Sequence, residues 1–262
     1  MTSATTKTRY IVGTSGYCFA DWVGSFYPAG ARQKDMFGLY VQRFGMVELN
    51  FTFYAMPSVK TLARMADASP PGFEFWIKAN QQITHEQMLA PAEEFIAALA
   101  PLQDANKLAG LLLQFPQSFH RTVDNRKFLA SAIDRLLPVP LAVEFRHASW
   151  EHASTTEGLR KRQVTLVVPD APPIRGLFHP PPTATSRVGY VRLHSRNARQ
   201  WYAGEAQRYD YNYSDAELRD VLAQWAPLEE QVDKVYTLFN NCHRGQAGQN
   251  ADSFRRILGQ IK

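Results

Sequence analysis

The feature that most restricts what this chain can fold into is a repeated unit, a short apolar run that ends in ionisable or amide side chains. Its fullest form is LAVEFRHASW at 141–150, where hydrocarbon gives way to Glu144, Arg146, His147 and Trp150. A strand of this make has one end in a core and the other at a working surface. The same boundary recurs in MVELNFTF at 46–53, with Glu48 and Asn50 two apart and so on one face. It recurs again in YVRLH at 190–194, with Arg192 and His194 in phase, and in VYTLFNN at 235–241, which closes on Asn240 and Asn241.

Counted along the chain, the units are eight: 10–15, 46–53, 74–80, 108–116, 141–150, 164–170, 188–195 and 234–241. Helical spacing separates most of them. Apolar residues at Met36, Phe37, Leu39, Tyr40, Val41 and Phe44 predict a helix over 35–44, and Ser58 offers an N-cap for one over 58–68. Pro91 opens a helix running to about Lys107, another covers 123–137, and Ser154 or Thr155 caps a short one to Gln163. Ser214 and Glu217 stand at capping-box spacing before SDAELRDVLAQWA, and 247–260 completes the series. Residues 171–187 are rich in proline and lack helical periodicity, which predicts an irregular connection between the sixth and seventh strands.

Eight strands alternating with helices in 262 residues predict an α/β fold of the TIM type, a (β/α)₈ barrel, with an irregular loop replacing the helix between strands 6 and 7. An open doubly wound sheet competes, but no glycine-rich nucleotide fingerprint follows the first strand. The expected organisation is a disordered lead over 1–8 and a single barrel domain over 9–262. Nothing in the lead resembles a signal peptide, no run approaches a membrane span, and the two cysteines, Cys18 and Cys242, supply no disulfide framework. A cytoplasmic protein without a membrane partner is therefore expected. The two cysteines follow the first and last strands, which are neighbours in a closed barrel.

In a parallel barrel the strand ends meet at one mouth. The residues expected there are Glu48, Asn50, Lys78, Gln114, Glu144, Arg146, His147, Asp170, Arg192, His194 and Asn240. Any one of them can instead be a paired structural charge; together they point to a polar site, since gathering so many at one end costs desolvation. Glu48, Glu144, Asp170 and His194 are the catalytic candidates. The formal charge of +5 favours an anionic ligand. Two chemistries fit. In the first, Glu48 or Glu144 with His194 moves protons while Lys78, Arg146 and Arg192 hold a phosphate or carboxylate. In the second, Glu48, Glu144, Asp170 and His194 ligate a divalent metal that activates water against a phosphodiester of nucleic acid. The cations nearby and the absence of a tight ligand motif favour the first, and no cofactor is favoured.

The stretch RNARQWYAGEAQRYDYNY at 196–213 interleaves Arg196, Arg199 and Arg208 with Trp201 and four tyrosines. Cations beside flat rings form a stacking and phosphate-gripping surface, so Arg199 and Trp201 are expected to bind ligand or single-stranded nucleic acid and to be dispensable for stability. Packing onto the rim is the plainer alternative.

The motifs GTSGY, FYP, ELNFTFYAMPS, KAN, ITH, LLLQFP, VEFRHASW, PDAP, YVRLHS and FNN, in this order over nearly the whole chain, resemble the DUF72 family of YecE-like proteins. The resemblance implies a TIM-type barrel and a mouth lined by Glu48, Asn50, Lys78, His85, Glu144, Arg146, His147, Arg192, His194 and Asn240. It implies no established reaction. The chain departs from the family pattern at Ser195, where glycine is more usual. The leading expectation is an enzyme acting by acid–base chemistry on an anionic small molecule. The alternatives are a metal-dependent phosphodiesterase acting on nucleic acid, akin to abasic-site nucleases, and a binding module without turnover.

Overall fold

The computed structural model describes residues 9–260; the expected lead over 1–8 lies outside them. Eight strands form one parallel sheet: β1 Arg9–Thr14, β2 Met46–Leu49, β3 Glu74–Lys78, β4 Leu108–Gln114, β5 Leu141–Glu144, β6 Thr165–Asp170, β7 Val188–Leu193 and β8 Lys234–Phe239. β8 pairs with β1, and the remaining neighbours are consecutive in sequence. A bridge between Ser15 and Glu48, with the Gly16 N–H donating to the Glu48 carbonyl at 2.8 Å, brings β1 and β2 together and gives the (β/α)₈ barrel.

Strand parity divides the core in two. Val47, Phe75, Ile77, Leu111, Leu113, Val143, Val168, Val191 and Phe239 face outward and pack under the helices. Ile11, Met46, Trp76, Leu112, Ala142, Val167, Tyr190, Tyr236 and Leu238 face inward and fill the barrel. Trp76 sets its indole edge-on against Tyr190 and Tyr236, with ring centroids 4.6 and 5.3 Å away. This fit requires glycine at position 110, where a Cβ would come within 2.6 Å of the indole and 2.5 Å of the Pro140 carbonyl. Such plugging makes the barrel interior a packed layer and confines its polar chemistry to the ends.

Three local expectations are corrected. β2 ends at Leu49, and Phe51–Tyr54 forms a helical turn. The Thr52 hydroxyl donates to the carbonyl of Lys78 at 2.6 Å and lies 3.1 Å from that of Leu49, drawing the chain back over the end of β3. The helix expected over 91–107 is two, Ala92–Ala98 and Ala100–Asp104, because Pro101 has no N–H to continue the first. The helix Ala153–Lys161 is capped by neither Ser154 nor Thr155; the His152 ring nitrogen accepts the Ser154 N–H at 3.1 Å.

Other expectations hold. The capping box at Ser214 and Glu217 opens the helix Asp215–Glu229. No helix separates β6 from β7. That connection instead clamps the chain just beyond β5: Ala148 N–H donates to the Gly176 carbonyl at 3.0 Å and Phe178 N–H to the Arg146 carbonyl at 3.1 Å. No helix among the described residues is long and apolar enough to cross a membrane. Both cysteines are free thiols, Cys18 exposed and Cys242 half-buried.

Candidate functional site at the barrel mouth

The inward parity that carries Met46, Ala142 and Tyr190 into the barrel carries Glu48, Glu144 and Arg192, two residues further along, to its upper layer. The Arg192 side chain, 2% exposed, lies between the two carboxylates, each 0% exposed. Its Nη2 donates to Glu48 Oε1 at 2.6 Å and to Ser15 Oγ at 3.2 Å, and its Nη1 donates to Glu144 Oε2. Tyr190, below it, donates its hydroxyl to Glu48 Oε2 at 2.6 Å; burial and the Glu48 charge hold that phenol well above its ordinary pKa, so it remains a donor. One guanidinium thus ties together four strand ends remote in sequence.

His194 continues this layer. Its Nδ1 accepts from Asn240 Nδ2 at 2.9 Å and its Nε2 donates to Glu144 Oε1 at 3.1 Å. Burial, reinforced by Arg146, lowers the His194 pKa to about 3, which agrees with a neutral ring carrying its hydrogen on Nε2. Glu144 behaves in the opposite way. Burial by itself would raise its pKa, but Arg146, Arg192 and His194 hold it well below the usual carboxylate range. Arg146 Nε lies 2.6 Å from Glu144 Oε1, yet its N–H is not directed at that oxygen and makes no hydrogen bond. The contact is electrostatic, and the Arg146 side chain stays at the mouth.

Above this layer opens a two-lobed cavity. The larger lobe, about 430 Å³, is bordered by Lys78, His85, Arg146 and Arg208, by the rings of Phe53, Tyr54, Trp201, Tyr202 and Tyr209, and by Gln81, Gln114, Gln117, Pro116 and Leu177. The smaller, about 220 Å³, shares Tyr54, Lys78, Gln114, Arg146 and Tyr209 and adds Asn50, Arg192, Asn240, Ser15, Phe19 and Cys242. Among the described residues no aspartate or glutamate borders either lobe. The carboxylates of Glu48 and Glu144 lie beneath the floor, paired with Arg192 and Arg146, and the described lining is cationic and aromatic. Asn50 Oδ1 is buried without a hydrogen-bond partner among the described residues. Gln114 Nε2 donates to the Phe115 carbonyl at 2.7 Å. Burial, then Lys78 and Arg146, lower the His85 pKa to about 4, and its Nδ1 lies 2.9 Å from Thr84 Oγ1.

Several expected residues stand elsewhere. Asp170 shares the outward parity of Leu166 and Val168, pairs with Arg196 at 2.9 Å and accepts from Tyr213 at 2.6 Å; it borders neither lobe. His147 is out of phase with Glu144 and Arg146, stacks on His120 with centroids 3.8 Å apart, and accepts the Ser149 N–H. Arg199 is exposed and borders neither lobe. Trp201 borders the larger lobe but is only 3% exposed, so it belongs to the packing as well as to the cavity. Ser195, the departure from the family pattern, is buried and accepts the Asn197 N–H at 3.0 Å without bordering the cavity. For the metal alternative, Glu48, Glu144 and His194 are brought together, but around a guanidinium, and Asp170 is not with them. No group of three or more His, Cys, Asp or Glu among the described residues is arranged to hold an ion.

Sequence reasoning missed Phe53 and Tyr54 at the cavity and Tyr190 beneath it, whereas Tyr209, which borders both lobes, lies in the stretch of cations and rings expected to stack on a ligand. Phe53 and Tyr54 reach the rim through the helical turn after β2, which the alternation of ELNFTF disguised. Tyr190 was readable as the residue two before Arg192.

A model described as "Protein of unknown function DUF72" matches residues 11–262. The UPF0759 protein YunF of Bacillus subtilis is 28% identical over 94% of each chain. The UPF0759 protein YecE of Escherichia coli is 27% identical over 52% of each. Among solved structures, a DUF72 family protein from Thermotoga maritima superposes with a TM-score of 0.88 at 37% identity, covering 96% of this chain and 99% of that one. One from Enterococcus faecalis gives 0.82 at 26% identity over 97% and 96%. On the match over residues 11–262 and these likenesses, the chain belongs to the DUF72 family.

Proposed function

We propose that the mouth of this barrel binds an anionic, hydroxyl-bearing small molecule, a phosphorylated or carboxylated compound, and acts on it by acid–base chemistry. The observation that carries the reading is the lining of the cavity: Lys78, Arg146 and Arg208, with no acidic side chain among the described residues. A phosphate or carboxylate placed among them meets fixed positive charge in a partly enclosed space, where such interactions are stronger than in bulk water. The rings of Tyr54, Trp201 and Tyr209 supply apolar faces for the rest of the ligand, and Asn50 Oδ1 accepts from a hydroxyl.

The proton-transfer roles first expected of Glu48, Glu144 and His194 pass in this reading to Lys78. The two glutamates are sealed under the floor and paired, and His194 is neutral and bonded at both nitrogens. They position Arg192 and Arg146. Lys78, by contrast, borders both lobes, and burial together with the neighbouring Arg192 charge lowers its pKa to about 8, near the working range of a general acid or base.

Calorimetric titration with inorganic pyrophosphate and with sugar phosphates, at low and at raised salt, tests the binding. Binding that weakens with salt and falls about tenfold in Arg146→Met, roughly 1.4 kcal/mol, is the expected result. Equal affinity in the variant, or stabilisation by cationic compounds and not by anionic ones, refutes it.

A further inference from the structure

Lys78 differs from the other cations of the mouth. Arg192 is enclosed by two carboxylates, Arg146 leans on Glu144, and Arg208 donates through Nε to the Trp201 carbonyl at 2.8 Å. Among the described residues Lys78 has neither an ion pair nor a hydrogen bond from its amine; its Nζ rests 4.0 Å from the centroid of the Phe53 ring. Its backbone is the last residue of β3, and the Thr52 hydroxyl fixes its carbonyl. A half-buried amine on a rigid strand end, against an aromatic face and beside other cations, is in the setting that turns a lysine from a counter-ion into a nucleophile. With a pKa of about 8, roughly a tenth of it is free amine at pH 7, on the order of two hundred times the fraction in an unperturbed lysine.

We propose that Lys78 captures the carbonyl carbon of an anionic aldehyde or ketone as a Schiff base, with Arg146 and Arg208 gripping the phosphate or carboxylate of the same molecule. The proposal rests on the anion-binding reading and narrows it to substrates that carry a carbonyl group. The neutral Nζ adds to the carbonyl carbon, and one N–H proton passes to the former carbonyl oxygen to give a carbinolamine. The hydroxyl then departs with the second N–H proton as water, so amine plus carbonyl yields imine plus water, and no oxidant or reductant takes part. Protonated, the imine draws electrons from the adjacent carbon and prepares it for proton removal or for cleavage of a neighbouring bond.

The test is reductive trapping of the full chain at pH 8 with sodium cyanoborohydride and, separately, pyruvate, glyceraldehyde 3-phosphate and dihydroxyacetone phosphate, followed by intact mass and peptide mapping. One adduct per chain, on the peptide holding Lys78 ahead of the exposed lysines, is expected with at least one probe. Which probe reacts separates an oxo acid from a sugar phosphate. Lys78→Arg, which keeps the charge, should lose that adduct while its thermal melt stays near that of the parent; Lys78→Met serves as a second variant if the arginine disturbs folding. Labelling spread over surface lysines, with Lys78 not preferred, overturns the proposal. The parallel pyrophosphate titration keeps the two claims apart. Anion binding without Lys78 labelling refutes the Schiff base alone. Labelling that inorganic phosphate fails to suppress refutes the anionic substrate class. Failure of both assays refutes both claims.

Discussion

Replacing Arg192 with methionine probes the layer on which the mouth is built. Methionine retains an apolar stem of similar reach and removes the guanidinium. Glu144 then keeps Arg146 Nε at 2.6 Å and the His194 N–H, but Glu48 keeps only the Tyr190 hydroxyl. A carboxylate with no exposure is left without an ion-pair partner. Removing one partner of a buried ion pair costs about 3–5 kcal/mol, more than the pair itself contributes, because the remaining ion is left desolvated. For a chain of this size that corresponds to a melting temperature lower by roughly 6–20 °C. Urea unfolding followed by tryptophan fluorescence should be measured for Arg192→Met, Glu48→Gln and the double variant. Glutamine at 48 still accepts from Tyr190 and carries no charge. Glu48→Gln should therefore destabilise the parent yet recover about 2 kcal/mol in the Arg192→Met background, a reversal of sign that only direct coupling produces. Equal effects of Glu48→Gln in both backgrounds, or a loss under about 1 kcal/mol for Arg192→Met, would refute the assignment of Arg192 as the charge that holds both glutamates.

Two further outcomes follow from the same geometry. His194 titrates near pH 3 in the folded protein, depressed chiefly by burial, whereas an unfolded histidine titrates near about 6.5. Between those values the unfolded chain binds up to one proton more, so acidification lowers stability, by about 1.4 kcal/mol per pH unit at most; His194→Gln should flatten this slope between pH 6 and 4, and an unchanged slope refutes the neutral imidazole. Trp201→Ala should cost about 3 kcal/mol as a buried aromatic, while Arg199→Ala should leave the urea midpoint nearly unchanged; equal, small effects would return Trp201 to the exposed stacking surface first expected of it.

How far the site was legible depends on phase. In MVEL and YVRLH the residues of interest sit two positions beyond a large inward side chain, so Glu48 and Arg192 follow from Met46 and Tyr190 by the pleat alone. In VTLVVPD every position before Asp170 other than Thr165 is apolar, no alternation marks the inward face, and the carboxylate was assigned to the mouth when it points outward to Arg196 and Tyr213. His147 failed for a related reason: it lies past the end of β5, where the strand period no longer holds and the ring instead caps the short helical turn Ala148–Trp150. The rim aromatics depended on a turn set by the Thr52 hydroxyl reaching the end of another strand, a contact 26 residues distant that no local pattern announces.

By itself the sequence determined the eight apolar runs, their polar ends and the irregular crossing before β7, because hydrophobic period and the turn chemistry of glycine and proline are local properties. Which charges remain open to a ligand was decided only by the tertiary structure. Glu48, Glu144 and Arg192 lie 48 to 144 positions apart and pair when the sheet curls round to bring β1 to β2, so that two acids expected to react are consumed in holding an arginine. Lys78 and Arg146 are left at the surface of the cavity, since net charge at a site is a sum over neighbours in space and not over neighbours in the chain.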